Sequence, residues 1–174
     1  MACKEKNDLE PGLSFRVVAS FEYCVFPEAS LFHYSSSCHF CGIPACLQAC
    51  PMNAITKNDE GIVLYDSSLC IACQSCVKAC PHGSPKLSLK NRVVMKCNAC
   101  IDLKSQNRNP ACVDSCHMRC LDFGDINVLQ DHYGLSSEGM KGYLGESLST
   151  SETEPTTVII QTRKVEGIVR QITL

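Results

Sequence analysis

The hydrophobic pattern of this sequence consists of short apolar runs separated by polar turns. The run over residues 14–21 predicts a β-strand, which we expect at the edge of a sheet against the core. After this strand, the chain is expected to loosen through Pro27 and the serines at 35–37. Two further apolar runs, at 54–57 and 62–65, enclose a turn of Asn, Asp, Glu and Gly, which predicts a β-hairpin.

A short helix is predicted twice. Segments 47–49 and 77–79 consist of good helix formers and small residues. A cysteine and then a proline, Pro51 or Pro81, follow each segment, and the proline stops the helix there. Helix, proline and strand therefore recur as an internal repeat of about thirty residues.

Beyond Gly124 the character of the chain changes. The cysteines stop, and residues 136–157 are rich in Ser, Thr, Glu and Gly, which predicts an exposed or poorly ordered tail. One short strand is expected at 158–160, whereas 166–174 carry no usable signal. We therefore expect a cysteine-containing domain at 1–124, with core motifs at 38–81 and an extension at 92–124, and a partly flexible tail at 125–174.

Composition makes metal a candidate for part of the stability. The chain has 174 residues, the size of one ordinary domain, with 45% hydrophobic and 20% charged residues. Tryptophan is absent and aromatic residues make up 6%, so large core anchors are scarce. Cysteine, with 15 residues, is far above normal usage. We therefore expect cysteine-bound metal to help hold the fold.

Charge and hydropathy exclude several classes of function. The formal net charge of −2 gives no electrostatic footprint for nucleic acid. No apolar run has the length of a membrane span, and residues 1–8 do not form a secretory signal. We expect a protein that is cytoplasmic, peripheral at the membrane, or exported with a partner that has a signal. Without an export signal of its own, reduced thiols are expected rather than structural disulfides.

The stretch from Cys38 to Pro81 carries the strongest chemical signal. Its second half is C-x2-C-x2-C-x3-C-P, the ligand run of a four-iron cluster. Its first half is the same run with two residues inserted before the third cysteine. Thiolates are soft and anionic, which suits iron–sulfur clusters. The eight cysteines are Cys38, Cys41, Cys46 and Cys50 in the first run, and Cys70, Cys73, Cys76 and Cys80 in the second.

In tandem runs of this kind, the fourth cysteine lies beyond a short helix and reaches the other cluster. The spacing therefore predicts two clusters with exchanged ligands: Cys38, Cys41, Cys46 and Cys80 for one, and Cys50, Cys70, Cys73 and Cys76 for the other. A structural zinc site is the alternative, because pairs of C-x2-C also bind zinc. A third cysteine followed by x3-C-P is not typical of zinc, so we expect iron–sulfur.

A third run follows, with the spacing C-x2-C-x11-C-x3-C, formed by Cys97, Cys100, Cys112 and Cys116. Its first three cysteines offer corners for another cluster, and the last repeats the position of a fourth ligand. This spacing is less specific, because a zinc knuckle would also fit it.

The three runs together resemble the iron–sulfur subunit of dimethyl sulfoxide reductase-like molybdopterin oxidoreductases. The match runs from residue 3 to about residue 124. Residues 80–85, 110–116 and 121–124 also carry the resemblance, and 155–159 is similar to the family's C-terminal strand. It implies an α+β fold with a bacterial-type ferredoxin-like core for two [4Fe-4S] clusters, a third-motif extension and a flexible C-terminal tail.

The resemblance also implies a role for Cys3. Members of the family carry four runs and four clusters, and this chain looks as if it begins inside the first run. Cys3 matches the fourth cysteine of that run and would complete a cluster with Cys97, Cys100 and Cys112. Cys116 would then be the orphan ligand of a missing cluster, so we expect three [4Fe-4S] clusters.

Several cysteines and histidines lie outside these ligand sets. Cys24 and Cys120 match no ligand position, and we expect both to be buried as small hydrophobic residues. His39, His82 and His117 adjoin ligands and could tune potentials, but a packed or solvated histidine is the simpler interpretation.

A similar choice applies to two lysines. Lys78 and Lys96 could offset cluster charge, but a surface lysine is the simpler expectation for each. Ala72 stands where the family often has glycine, a departure that removes no ligand.

Electron transfer without catalysis is the function that these features favour. The sequence has no nucleophile–base pair, phosphate loop or substrate pocket. The resemblance implies two partners in anaerobic respiration, a molybdopterin-containing catalytic subunit and a quinol-oxidising membrane anchor; neither nucleic acid nor a small-molecule substrate is expected. The alternatives are a zinc-stabilised adaptor and a truncated, non-functional fragment.

Overall fold

The computed structural model describes residues 1–23, 27, 30–133, 153–154, 156–157 and 169–172. The elements in chain order are α1 (Ala2–Lys6), β1 (Val17–Tyr23), β2 (Ser30–Ser36), α2 (Ala45–Gln48), β3 (Ile55–Lys57), β4 (Val63–Tyr65), α3 (Ser75–Ala79), β5 (Lys86–Ser88), β6 (Val93–Met95), α4 (Ile101–Lys104), α5 (Ala111–Asp114), α6 (Ile126–Tyr133) and β7 (Val169–Ile172). Over these ranges, no helix combines the length and apolar character that crossing a bilayer requires.

Two short antiparallel hairpins, each preceded by a short helix, form the centre of the fold. β3 pairs with β4, and β5 pairs with β6. The predicted hairpin is confirmed, and its turn is closed by Asn58, whose side-chain oxygen accepts a 2.7 Å hydrogen bond from the N–H of Ile62. The two predicted helices are confirmed as α2 and α3, which pack against each other. The small α+β architecture agrees with a ferredoxin-like domain.

A three-stranded antiparallel sheet has the order β2-β1-β7. β1 is its central strand, so the expectation of an edge strand is wrong, because partners pair on both sides of it. The expectation that the chain loosens through 35–37 is also wrong, since β2 continues to Ser36. Serine is a weak strand former, but strand formation depends on cross-strand partners. One such pair is Ser20 and His33, whose Oγ and Nδ1 lie 2.9 Å apart.

β7 forms at Val169–Ile172, where the sequence carried no usable signal. Its position is set by β1, with Ile172 opposite Ser20 and Val169 opposite Tyr23. Part of the predicted tail therefore returns to the beginning of the chain. The strand predicted at 158–160 lies outside the described residues.

The buried hydrophobic core and the cysteine runs occupy the same space. The buried members of the core are Cys46, Ile55, Val63, Cys76 and Val94. Two of these are predicted metal ligands, so the apolar core is small and is built around the thiols. This agrees with the scarcity of large aromatic anchors in the sequence.

Residues Thr153, Glu154 and Thr156, which we call the C-terminal strap, dock on the first cysteine loop. The N–H of Gly42 donates to the carbonyl of Glu154 at 2.8 Å, and the N–H of Ile43 donates to that of Thr153 at 3.2 Å. Thr153 is 5% exposed, so the expectation of an exposed tail is wrong at this residue. The physical reason is that loop N–H groups require partners, and the strap supplies them.

Candidate metal centres

The first C-x2-C pair of each of the three runs shares one backbone feature. The residue before the second cysteine has a left-handed backbone in each pair: Phe40 (φ 46°), Ala72 (φ 56°) and Ala99 (φ 57°). Such a conformation is unfavourable for any residue with a Cβ atom, and strain of this kind concentrates at functional sites. Turns of this type can direct successive N–H groups into a concave loop that suits an anion. The loops are therefore shaped for negatively charged groups.

A second turn recurs after the last cysteine of each run. The residue three positions later has a left-handed backbone and donates its N–H to the cysteine carbonyl: Asn53 to Cys50 (3.3 Å), Gly83 to Cys80 (3.2 Å) and Arg119 to Cys116 (3.1 Å). The third run thus repeats the local geometry of the first two, although its spacing alone was less specific.

Cys80 lies with the first three cysteines of the other run. Burial is the main reason that the pKa of Cys46 is raised to about 11; the charges of Cys38, Cys80 and Cys41 also raise it, and the charge of Lys96 opposes the rise. Burial also raises the pKa of Cys41, and Cys38 and Cys80 again contribute. Electrostatic influence of this kind requires proximity. Cys38, Cys41, Cys46 and Cys80 are therefore brought together.

Cys50, the last cysteine of the first run, lies with the first three cysteines of the second run. Burial raises the pKa of Cys76, and the charges of Cys50, Cys70 and Cys73 raise it further. These four cysteines line one cavity, which contains about 460 Å³ free of protein atoms, part of it open to solvent. Cys73 is at its exposed edge.

The short helices explain this exchange. α3 ends at Ala79, and Cys80 follows with an extended backbone (φ −81°, ψ 113°), so it has left the loop of its own run. α2 carries the polypeptide from Cys46 to Cys50 in the first run. Because α2 and α3 pack together, the end of each helix comes within reach of the other loop.

Cys3 approaches the third run. Burial raises the pKa of Cys3, and the charges of Cys112 and Cys100 raise it further. α1, which carries Cys3, packs against α5, which carries Cys112. An ion pair between Lys6 and Asp102 also joins α1 to α4. Cys3 therefore lies near Cys100 and Cys112, while their sharing of one cluster stays a prediction.

Cys97 lies between the first and third sets. Burial raises its pKa to about 12, with contributions from the charges of Cys38 and Cys3, whereas Lys96 lowers it. Two of the predicted metal sites are therefore close neighbours at this residue.

Cys116 lies with Cys120. Their sulfur atoms are 3.5 Å apart, and hydrogen bonding to Cys120 is the main reason that the pKa of Cys116 is lowered. Cys120 is exposed, so the expectation that it is buried is wrong. In the loop after α5, Cys116 is half-buried and Cys120 is open to solvent. Cys24 lies outside the described residues.

The histidines near the runs fit the simpler expectation that each is either packed or solvated. His39 is 3% exposed, and its ring centroid lies 4.2 Å from that of His82. Burial, with smaller contributions from the charges of His82 and Arg16, lowers the pKa of His39 to about 4. His39 is thus a packed, neutral histidine, whereas His117 is exposed to solvent.

Lys96 contradicts the expectation of a surface lysine. It is 1% exposed, whereas Lys78 is exposed as expected. The ammonium of Lys96 donates to the carbonyl oxygens of Val63 and Cys97. The sequence around Lys96 could not predict its burial, because Val63 belongs to a different hairpin.

The C-terminal strap makes a contact with the first run that no sequence pattern indicated. The hydroxyl of Thr153 hydrogen-bonds the thiol of Cys41 and opposes the rise in its pKa that burial causes. Thr156 extends the strap, because its N–H donates to the carbonyl of His39 at 3.0 Å. No local signal could have identified these contacts, since the residues are more than a hundred positions apart in the sequence.

The donor sets have the chemistry of an iron–sulfur site. The cavity lined by Cys50, Cys70, Cys73 and Cys76 offers four soft thiols around one space. Four thiolates in concave loops are the ligand set of a [4Fe-4S] cluster.

Comparison with known proteins agrees with this chemistry. Residues 29–126 match the model of the 4Fe-4S dicluster domain family. The B chain of anaerobic dimethyl sulfoxide reductase from Escherichia coli is 35% identical over 142 residues, which cover 77% of the present sequence and 69% of that protein. The B subunit of sulfite dehydrogenase from Allochromatium vinosum is 34% identical over 139 residues, covering 76% of the present sequence and 58% of that protein.

A third relative has an electron-transfer function in its name. The thiosulfate reductase electron transfer subunit PhsB from Salmonella typhi is 35% identical over 131 residues, which cover 73% of the present sequence and 68% of that protein. The region matched by the family model contains all three cysteine runs. The protein therefore belongs to the 4Fe-4S dicluster family, among the iron–sulfur subunits related to the B chain of anaerobic dimethyl sulfoxide reductase.

Proposed function

We propose that this protein is the electron-transfer subunit of a molybdopterin oxidoreductase complex and holds three [4Fe-4S] clusters. The first is bound by Cys38, Cys41, Cys46 and Cys80, the second by Cys50, Cys70, Cys73 and Cys76, and the third by Cys3, Cys97, Cys100 and Cys112. Cys116 remains outside these sets. A bound [4Fe-4S] cluster supplies a site that takes up and releases one electron.

The observation that carries this proposal is the reciprocal exchange of the fourth cysteine. Cys80 acts electrostatically on Cys41 and Cys46, and Cys50 acts on Cys76. A single zinc site would not require two runs to exchange ligands. The exchange supports a pair of clusters held close together by the packing of α2 on α3.

The protein's own residues prepare these sites. The left-handed turns at Phe40, Ala72 and Ala99 curl each loop around its thiols, and N–H groups in such loops can hydrogen-bond cluster sulfur atoms. Burial of Cys46, Cys76 and Cys100 limits the access of water. Both effects set the potential at which an electron is held.

The partners we propose are a catalytic subunit that carries molybdopterin and a membrane anchor that oxidises quinol. The relatives are components of dimethyl sulfoxide reductase, sulfite dehydrogenase and thiosulfate reductase, which supports a place in such a complex. Electrons pass from the anchor towards the pterin, and this subunit catalyses no reaction alone.

The subunit lies at the membrane through its partner. Residues 1–124 form the electron-transfer domain, and 125–174 form an appended segment.

Iron and acid-labile sulfide counts on protein purified without oxygen test the proposal. We expect about twelve irons and about twelve sulfides per polypeptide, which is four of each for every cluster. A folded, colourless, iron-poor protein would overturn the proposal and favour the zinc-stabilised adaptor.

Pairs of substitutions test the exchange itself. Cys80→Ser combined with Cys38→Ser should lose about four irons, no more than either change alone, because both residues hold one cluster. Cys80→Ser combined with Cys76→Ser should lose about eight, because two clusters are affected. The reverse result would place Cys80 with its own run. Cys120→Ser is the matched control and should retain all the iron.

A further inference from the structure

Lys96 is a buried cation where the three cysteine sets meet. Its exposed fraction is 1%, and it is the largest of the fully buried side chains in the described part of the protein. The ammonium donates to the carbonyl of Cys97 at 2.8 Å and to that of Val63, and it lies 5.3 Å from the ring centroid of Phe40. The groups in direct contact with the ammonium are therefore uncharged.

A buried ammonium is unfavourable unless negative charge lies near it. Within the described ranges, the ion pairs are Lys6 with Asp102, Lys90 with Asp8 and Lys104 with Glu60. Lys96 takes part in none of them. Carbonyl oxygens and a ring face compensate an ammonium only in part. The thiolates of Cys46 and Cys97, on which the charge of Lys96 acts, can supply the negative charge that balances it.

The position of Lys96 relates it to each set. It precedes Cys97 of the third set, and its ammonium lies over Phe40, which is in the loop of the first set. Its side chain also lines the cavity whose thiols form the second set. The charge of Lys96 lowers the pKa values of Cys46 and Cys97, although burial outweighs it at both residues. One cation thus stabilises thiolates that belong to different sets.

We propose that the Lys96 ammonium is an internal counter-charge that raises the reduction potentials of the first and third clusters. This inference rests on the proposed ligand sets. Four thiolates outweigh the positive charge of an iron–sulfur core, and each electron that is added makes the site more negative. A fixed positive charge nearby favours the reduced form, and its burial protects the effect from screening by salt. Lys96 thereby favours electron transfer between the first and third clusters, which are close neighbours at Cys97.

Potentiometric titration of the cluster-loaded protein, followed by electron paramagnetic resonance, tests this role. Dithionite supplies the single electron per cluster, and no covalent bond changes. In Lys96→Gln, which loses the charge but can still donate hydrogen bonds, the ratio of reduced to oxidised cluster at a given potential should fall at least about tenfold, a shift of about 59 mV for one electron. Two clusters should show this shift. In Lys96→Arg, which keeps a charge, they should stay nearer the wild type.

Lys78→Gln is the matched control, because this lysine is close to ligands in sequence but is exposed to water. Its removal should leave the potentials almost unchanged, since water and salt screen exposed charges. Unchanged potentials in Lys96→Gln with full iron content would overturn the counter-charge. Full iron in Lys96→Arg together with its loss in Lys96→Gln would support a charge requirement, whereas equal loss in both would overturn it. An iron-free wild type would instead refute the proposed function.

Discussion

The N–H of Gly42 donates a 2.8 Å hydrogen bond to the carbonyl of Glu154, which fastens the C-terminal strap to the first cysteine loop. The two residues are far apart in sequence, yet they are close enough that little space remains. A Cβ atom on Gly42 would lie 2.6 Å from Oε2 and 3.0 Å from Cβ of Glu154. The contact thus depends on the absence of a side chain at position 42.

Gly42→Ala should loosen the strap. Because the Glu154 carboxylate can move but its Cβ cannot move freely, we expect a destabilisation of about 1–2 kcal/mol, the usual cost of mild overpacking. Hydrogen exchange at the Ile43 amide should become faster. Gly124→Ala is the control, since its added Cβ would meet only ordinary contacts, 3.7 Å or more from Leu129. Unchanged exchange at Ile43 would show that the strap does not protect the loop.

Ala72→Gly should stabilise the protein. A left-handed backbone costs a non-glycine residue about 1–2 kcal/mol, while glycine costs about 0.5–1 kcal/mol in backbone entropy, so the net gain should be about 0.5–1 kcal/mol. Denaturant unfolding without oxygen measures this difference. Ala79→Gly, at a helical position of α3, should instead destabilise the protein. A loss of stability in Ala72→Gly would contradict the strain at φ 56°.

Cys112→Ser should remove about four irons, because this residue completes the proposed third cluster. Cys116→Ser and Cys120→Ser should retain the wild-type iron content, since both residues lie outside the proposed sets. Iron analysis of the three variants, purified side by side, decides the matter. Loss of iron in Cys116→Ser would mean that this cysteine is a ligand after all.

The carboxylate of Glu10 accepts hydrogen bonds from the N–H groups of Leu89 (2.8 Å) and Lys90 (3.0 Å), which caps the turn between β5 and β6. Partial desolvation raises the pKa of Glu10, but hydrogen bonds from Ser88, Lys90 and Leu89 outweigh this and lower it overall. The unfolded state therefore takes up this proton more readily. The stabilising effect is complete above the usual glutamate pKa of about 4.3 and is lost as pH falls through the lower folded value.

Glu10→Gln should accordingly be less stable than the wild type at neutral pH, and the difference should shrink as the pH falls below about 4.3. Urea denaturation followed by circular dichroism at several pH values measures it. Glu5→Gln, at an exposed position on α1, is the control. A difference that grows towards acidic pH would reverse the sign and contradict the role of Glu10.

Local features of this protein could be predicted well from its sequence. The hairpin closed by Asn58, the helices α2 and α3 and their repetition depend on turn formers, prolines and helix formers within a few neighbouring residues. The grouping of Cys80 with the first run could also be anticipated, because a short helix must carry it out of its own loop. The placement of Cys3 was anticipated from family resemblance rather than from spacing.

Features that depend on distant partners could not be predicted. β1 was expected at a sheet edge, but β7 pairs with it from the far end of the sequence. Lys96 was expected at the surface, but the carbonyl of Val63, 33 residues away, accepts a hydrogen bond from its ammonium. Cys120 was expected to be buried, but no neighbouring element covers its loop in the described part of the protein.

The sequence by itself therefore determined the chemistry of this protein, because four-iron clusters demand cysteines at fixed short spacings that can be counted along the polypeptide. Only the tertiary structure decided the surroundings of those cysteines. Thr156, for example, meets His39 across a separation of 117 residues. The burial of the cysteines, the position of Lys96 and the docking of the C-terminal strap arise from contacts between such remote residues. A sequence pattern does not specify which remote segments come into contact.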